Sequence, residues 1–325
     1  KFAASKRTFW VCPGTGAWNT LFPRQDGAVK NIQNLTLQGI EQGATGMLLC
    51  DWGDHGSYTP PAFSLVAFGF AAEVSWSGRK LSLEEQLPSF SRVLGEPALE
   101  HLHTVLPQIH RLPAFWSKNR SQCAIALFDE PLTGRMLTNA EPPVDLEALM
   151  PLPEGVAGVL DPESHHLMRP LFGISEASIE KLQAIAHEAS ALVGDLKDDL
   201  LRSQYTWLCD ALLLVCDKLR LGRSIRSSML SCSANCDQFL DWENEVRLLI
   251  GRFTQLQIDF IAWWMLVAKT SEIMIPLSYF AHIIERLDYL KGWLGAQRKA
   301  METNHEVDWP MATYQTAGYK SLPTY

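Results

Sequence analysis

The sequence has no apolar run long enough to span a bilayer. Its most apolar stretch, Phe260 to Ala268, is closed off by Asp259 and Lys269. The first residues, Lys1-Phe2-Ala3-Ala4-Ser5-Lys6-Arg7, contain no hydrophobic signal core and no initiator Met, so the expectation is a chain that begins partway through a larger protein. A basic excess is also missing: 28 Lys and Arg stand against 36 Asp and Glu, giving a net charge of −8, which argues against a nucleic-acid backbone as partner. Cysteine is present, but its seven copies form no framework pattern. An odd, scattered set suits reduced thiols and predicts a cytoplasmic protein, with no membrane partner. Cys232-x-x-x-Cys236 has no second pair to complete a zinc site, so no metal is expected. No internal repeat of fixed period is present.

What the chain does have is bulk. Its 325 residues, 47% hydrophobic and 20% charged, are enough for two domains. Thr8 to Cys12 reads as a buried strand stopped by Pro13-Gly14-Thr15-Gly16, with Ala17-Trp18-Asn19 at its exit. Asp26 is placed to cap a helix over Ala28–Gln42, whose inner face carries Val29, Ile32, Leu35, Thr36, Gly39 and Ile40. A second strand, Gly46–Cys50, and a second helix from about Pro61 to Ser75 follow. That order gives two βα units of a parallel sheet. Residues 82–110 then look helical, with Ser82 opening a capping box and Glu96-Pro97 starting a second piece. Recurring prolines from Pro113 to Pro170 suggest a long irregular connection. Helical periodicity dominates from Ser175 to Met301, with helices expected near 176–193, 196–220, 235–270 and 276–300 and breaks at Gly194, Gly222 and Pro276. Leu200, Leu201, Trp207, Leu208, Leu212 and Val215 form a stripe suited to bundle packing. The divisions expected are therefore 1–80, 81–174 and 175–325.

The chemistry is concentrated in Asp51-Trp52-Gly53-Asp54, where the second strand emerges. A flat indole beside carboxylate oxygens suits a sugar, with its apolar C–H faces and hydroxyl rim. Phe9-Trp-Val-Cys-Pro-Gly-Thr-Gly-Ala-Trp-Asn19, then Asp51–Asp54, Pro60-Pro61 and Ala71-Ala72-Glu73-Val74-Ser75-Trp76, together resemble the seventh and eighth units of the catalytic barrel of family 20 glycoside hydrolases, the β-N-acetylhexosaminidases. The resemblance covers about a quarter of the chain closely. It implies a fold of α/β plus all-α type: the last two βα units of a (β/α)8 TIM barrel followed by a mainly helical C-terminal domain.

By the same resemblance Trp52 would wall the pocket for the N-acetyl sugar, and Asp54 would accept from its outer hydroxyls. Asn19 stands where family members place an Asp that grips the sugar rim, and Trp18 would be a further pocket aromatic. Ala17 stands where better-known members carry a Tyr, so that role is unassigned here. The reaction implied is retaining release of terminal β-linked GlcNAc or GalNAc, the substrate's own acetamide serving as nucleophile. No cofactor is implied.

The family's adjacent catalytic Asp-Glu belongs to a fourth strand, expected upstream of this chain because eight units need about 250 residues. Asp129-Glu130 follows the eighth unit and is not expected to be catalytic, so no catalytic residue is assigned within the chain. The expected partners are N-acetylhexosamine-containing glycans, the N-terminal remainder of the barrel and a second copy in a homodimer. A non-catalytic helical interaction module and a sugar-binding relative without hydrolysis are the alternative readings.

Blander roles stand beside these. Asp51 would hydrogen-bond local backbone or touch the sugar, the structural role being favoured. His55 and Tyr58 sit on the rim loop. Cys12 and Cys50 would be buried thiols. Phe260, Trp263 and Trp264 would be bundle core or a dimer interface. His165-His166 and the cluster Arg220, Arg223 and Arg226 would be solvated, and the aromatic tail after Asn304 would dock on the body.

Overall fold

The computed structural model describes residues 7–53, 56–112, 122–128, 174–231 and 234–303. The elements are β1 (Trp10–Val11), α1 (Gln25–Glu41), β2 (Gly46–Met47), α2 (Leu65–Ser77, entered through a 3-10 turn at Pro61–Ser64), α3 (Leu83–Val93), α4 (Ala98–Val105, extended by a 3-10 turn at Leu106–Arg111), α5 (Gln122–Phe128), α6 (Glu176–Val193), α7 (Asp199–Ser231), α8 (Cys236–Val267) and α9 (Met274–Glu302). The chain is mainly helical, and among the described residues the sheet consists of two short strands.

β1 and β2 pair in parallel, with Trp10 opposite Gly46 and Val11 opposite Met47. Hydrogen bonds extend the pairing beyond the strands: Leu48 N donates to Val11 O, Cys50 N to Pro13 O and Thr15 N to Cys50 O. Side chains alternate across a strand, and here the two faces differ sharply. Val11 presses on Gly39 of α1, and Met47 Sδ accepts from Thr36 and Ser75 hydroxyls. Those residues join the small core of Ile32, Ala67, Phe70, Ala71 and Val74 between α1 and α2. On the other face Trp10 is 59% exposed, Leu48 is 55% exposed and Cys12 is exposed. The first strand is therefore shorter than expected and open on one side, and Cys12 and the half-buried Cys50 are not buried thiols.

The main core joins both halves of the chain. Leu21, Phe22, Tyr58 and Phe63 from the front end pack into the same cluster as α4, α5 and the long helices α6 to α9. The helical stripe expected on α7 is present, with Trp207, Leu208, Leu212 and Val215 buried and Leu200 and Leu201 partly so. Phe260, Trp263 and Trp264 pack against one another and Phe280 in this core.

Several local expectations need correction. α1 starts before Asp26, whose carboxylate takes both Nε and Nη2 of Arg111 instead of capping the helix. Ser82 makes no side-chain cap. Gly222 does not end a helix, because α7 runs through it to Ser231 and the buried stripe is continuous. Part of the proline-rich stretch is regular: α5 buries Cys123, Ala124, Ala126, Leu127 and Phe128. Arg220 is engaged by Glu176 and Gln183 across α6, and Arg223 by the carbonyl of Ile174, so neither is merely solvated. The helix expected near 235–270 is observed over Cys236–Val267, opened by a reciprocal capping box between Asn235 and Gln238.

Candidate functional site

Trp18 and Asn19 follow the exit of β1, and Asp51 and Trp52 follow the exit of β2. After β1 the chain stays zipped to its neighbour as far as Gly14, which bridges Cys50. Gly14 N donates to Asn31 Oδ1 at 3.0 Å, tying the strand exit to α1. A Cβ on Gly14 would meet the Trp18 ring at 2.8 Å, so glycine lets the indole lie against the backbone. Arg24 Nη2 donates to Trp18 O at 2.9 Å, and its guanidinium lies 5.5 Å from the Trp18 ring centroid. Burial lowers the Arg24 pKa to about 10, which leaves it charged at neutral pH. Trp18 is therefore pinned between backbone and cation.

Asn19 follows in the left-handed region, at φ 54°. It is 6% exposed, and its Nδ2 is a buried donor with no acceptor among the described residues. Such a group costs on the order of 1–3 kcal/mol unless something accepts from it. The turn holding it is fastened by Thr59, whose hydroxyl reaches Ala17 O at 3.2 Å and also contacts Thr20 O.

At the second exit Asp51 has a structural task. Its Oδ1 accepts from the hydroxyls of Thr15 and Ser64, linking both strand exits to the start of α2. Trp52 is 60% exposed and its indole is available at this rim. Asp54 and His55 lie outside the described residues. Tyr58 turns inward, against Phe128 and Tyr279, and so does not line a rim. Asp129-Glu130, His165-His166, Cys232 and the aromatic tail also fall outside the described residues. Among the described residues no group of three or more His, Cys, Asp or Glu could hold a metal ion, and no helix is long and apolar enough to cross a membrane.

A groove of about 180 Å³ opens elsewhere, between α2 and α3, lined by Val66, Phe70, Leu87 and Phe90 with Glu73 at its side. Its lining is mainly apolar, also takes in Gln86 and Ser89, and includes none of the strand-exit residues.

The polar cluster that sequence reasoning missed is buried behind the site. Gln25 Nε2 donates to His103 O at 2.8 Å, so its amide oxygen accepts from His103 Nδ1–H at 2.7 Å. The other ring nitrogen, Nε2, must then accept from the Tyr205 hydroxyl, 2.7 Å away. Burial holds His103 down to about 3 and pushes the Tyr205 hydroxyl upward. This neutral chain ties α1 to α4 and α7. Glu96 does similar work, its two oxygens accepting from Lys197 N and Asp198 N ahead of α7. The partners are far apart in sequence, so no local pattern reveals them.

No model of a known protein family matches this chain, and no curated protein matches it significantly.

Proposed function

We propose that this chain is the C-terminal part of a β-N-acetylhexosaminidase of the family 20 type, carrying the sugar-holding rim of a site whose catalytic Asp-Glu pair lies upstream. The observation that carries the proposal is the two-faced β1–β2 pair. Helices cover one face, while Trp10, Cys12 and Leu48 stand open on the other. A parallel sheet is normally covered on both faces, and closure into a barrel would enclose the open one. The same open sheet ends at Trp18, Asn19 and Trp52, on the carboxyl side where barrel enzymes build their sites.

In this reading Trp52 stacks on the sugar, Asp54 accepts from its outer hydroxyls and the unpartnered Asn19 Nδ2 donates to a ring substituent. Trp18, held by Arg24, shapes the wall rather than offering a free face. Hydrolysis of terminal β-linked GlcNAc or GalNAc would proceed through the substrate's acetamide, with no cofactor. The α6–α9 bundle would brace the barrel.

A second reading has a specific observation in its favour. Phe22, Tyr58 and Phe63 are integral to the helical core, as expected of a self-sufficient helical interaction module with a short α/β front.

The deciding experiment is a denaturing mass of the natively purified particle, followed by binding of N-acetylglucosamine. The glycosidase reading expects further barrel polypeptide in the particle and hydrolysis of aryl N-acetylglucosaminides. It also expects Trp52→Ala to weaken sugar binding by about tenfold or more, the usual scale for losing an aromatic anchor. A folded particle of this chain alone, with no sugar affinity, would leave the interaction module.

A further inference from the structure

We propose that the outer face of α8 is a self-association surface that packs antiparallel against the same helix of a second copy of this chain. The inner face of α8 is fully used: Phe239, Trp242, Val246, Leu249, Phe253 and Phe260 are buried in the bundle. The opposite face should then be polar throughout, but beside Arg247, Thr254 and Gln255 it exposes large apolar side chains. Leu240 is 45% exposed, Leu248 67%, Ile258 51%, Met265 51% and Leu266 72%. These five side chains leave on the order of 500 Å² uncovered, the larger part of the roughly 800 Å² per partner that a specific interface buries.

Their spacing is that of a helix-pairing seam. Asn244, Leu248, Gly251, Gln255, Ile258, Ala262 and Met265 follow one another alternately four and three residues apart, the repeat that keeps one line facing a partner helix. The first six positions, Asn244 to Ala262, read the same from either end, while Met265 falls opposite the partner's Asp241. Turned antiparallel about its midpoint, it sets Leu248 against the partner's Ile258, Gly251 against the partner's Gln255 and Asn244 against the partner's Ala262. The Leu248 layer pairs apolar with apolar, Gly251 leaves room for the long Gln255, and the polar Asn244 meets the small Ala262. Leu240 and the partner's Leu266 flank both ends in the same register. A surface that complements itself in this way is what an isologous two-fold contact requires.

Gly251 is an independent observation. It sits mid-helix, where glycine is intrinsically unfavourable relative to alanine, and a Cβ added there would meet nothing within 4 Å. Nothing in the described fold explains the glycine, whereas close approach of a second helix does. The proposal does not depend on the sugar-site reading.

Native mass spectrometry of the purified particle counts the copies of this chain, and two are expected. Leu248→Glu with Ile258→Glu should reduce the count to one with the helical signal unchanged, since both side chains are exposed. Gly251→Lys should raise the dimer dissociation constant at least tenfold while raising the thermal midpoint of the dilute monomer, two effects of opposite sign.

The register is tested by mixing chains carrying Leu248→Cys with chains carrying Ile258→Cys. A disulfide-linked pair should form in the mixture, above the background of the native cysteines, and in neither variant alone. One copy per particle would overturn the proposal. So would a dimer that survives the double Glu variant, or crosslinking within each single variant, the signature of parallel pairing. Protection of outer α8 amides in a one-copy particle would show that a different segment or protein occupies the face.

Discussion

His103 carries the clearest consequence at the scale of a single residue. It is buried at 1% exposure, and its neutral form is fixed by Gln25 on one side and Tyr205 on the other. Its pKa is about 3 in the fold, against an ordinary 6.5, and burial also lowers His110 to about 4. Between those values and 6.5 the unfolded chain binds protons that the folded chain refuses. Stability from this source is therefore whole above about pH 6.5 and falls as the pH drops towards 3, with His103 alone contributing a slope of roughly 1.4 kcal/mol per pH unit. Urea titrations between pH 7 and pH 4 should show the loss, and His103→Gln should flatten it. A profile unchanged by that variant would mean that other groups govern acid sensitivity.

Tyr205→Phe deletes the hydroxyl that donates to His103 Nε2 and should cost about 1–3 kcal/mol at neutral pH, read from the urea midpoint. At this scale the sequence was informative where a residue acts through its neighbours in the chain. Trp52, read from the resemblance as a pocket wall, is 60% exposed. Trp18, read as a further pocket aromatic, has Arg24, six residues on, over its ring. Tyr58 was placed on a rim because its loop is polar, yet its partners, Phe128 and Tyr279, come from elements distant in sequence.

Among the elements, α1 against β1 shows why glycine has no single meaning. Gly39 lies on the inner face of α1, as its position in the periodic pattern predicts, and an added Cβ would stand 2.8 Å from Val11 Cγ1. Valine is stiff at χ1, so the helix would have to move off the strand. Gly39→Ala should then destabilise the chain by about 1–3 kcal/mol through overpacking, against the gain of nearly 1 kcal/mol that helix propensity alone would predict. A thermal melt showing stabilisation would mean that β1 is loose enough to yield. Helices α6 to α9 were legible because long periodic runs announce themselves. Gly222 misled because a glycine buried within a long apolar stripe interrupts nothing. α5 was missed because seven residues among prolines carry too short a period to be read, and its helix rests on tertiary partners such as Lys218, whose Nζ donates to Leu127 O at 2.9 Å.

For the molecule as a whole, the question is whether the front end and the helices form one cooperative unit. Sequence composition suggested a boundary near residue 80, because strand-helix alternation gives way there to helices alone. The packing crosses that line. Phe22 stacks on Phe63 and His103, Phe63 on Tyr205, and Gln25 bonds His103. These contacts lie in the interior, where one or two kcal/mol is a large fraction of net stability. Heating should therefore give a single transition, with front-end and helical probes losing signal together.

Within that unit the open sheet is the weak place. β1 and β2 are two residues each, and one of their faces is uncovered. Native-state hydrogen exchange of the chain alone should show Val11 and Leu48 amides opening well below the global free energy, while amides of α7 and α8 exchange only on global unfolding. If further barrel polypeptide covers the open face, its addition should raise protection at Val11 and Leu48 first, and by more than in the bundle. Protection there already equal to that of α7 would mean that the two strands need no further sheet, which would favour the helical interaction module.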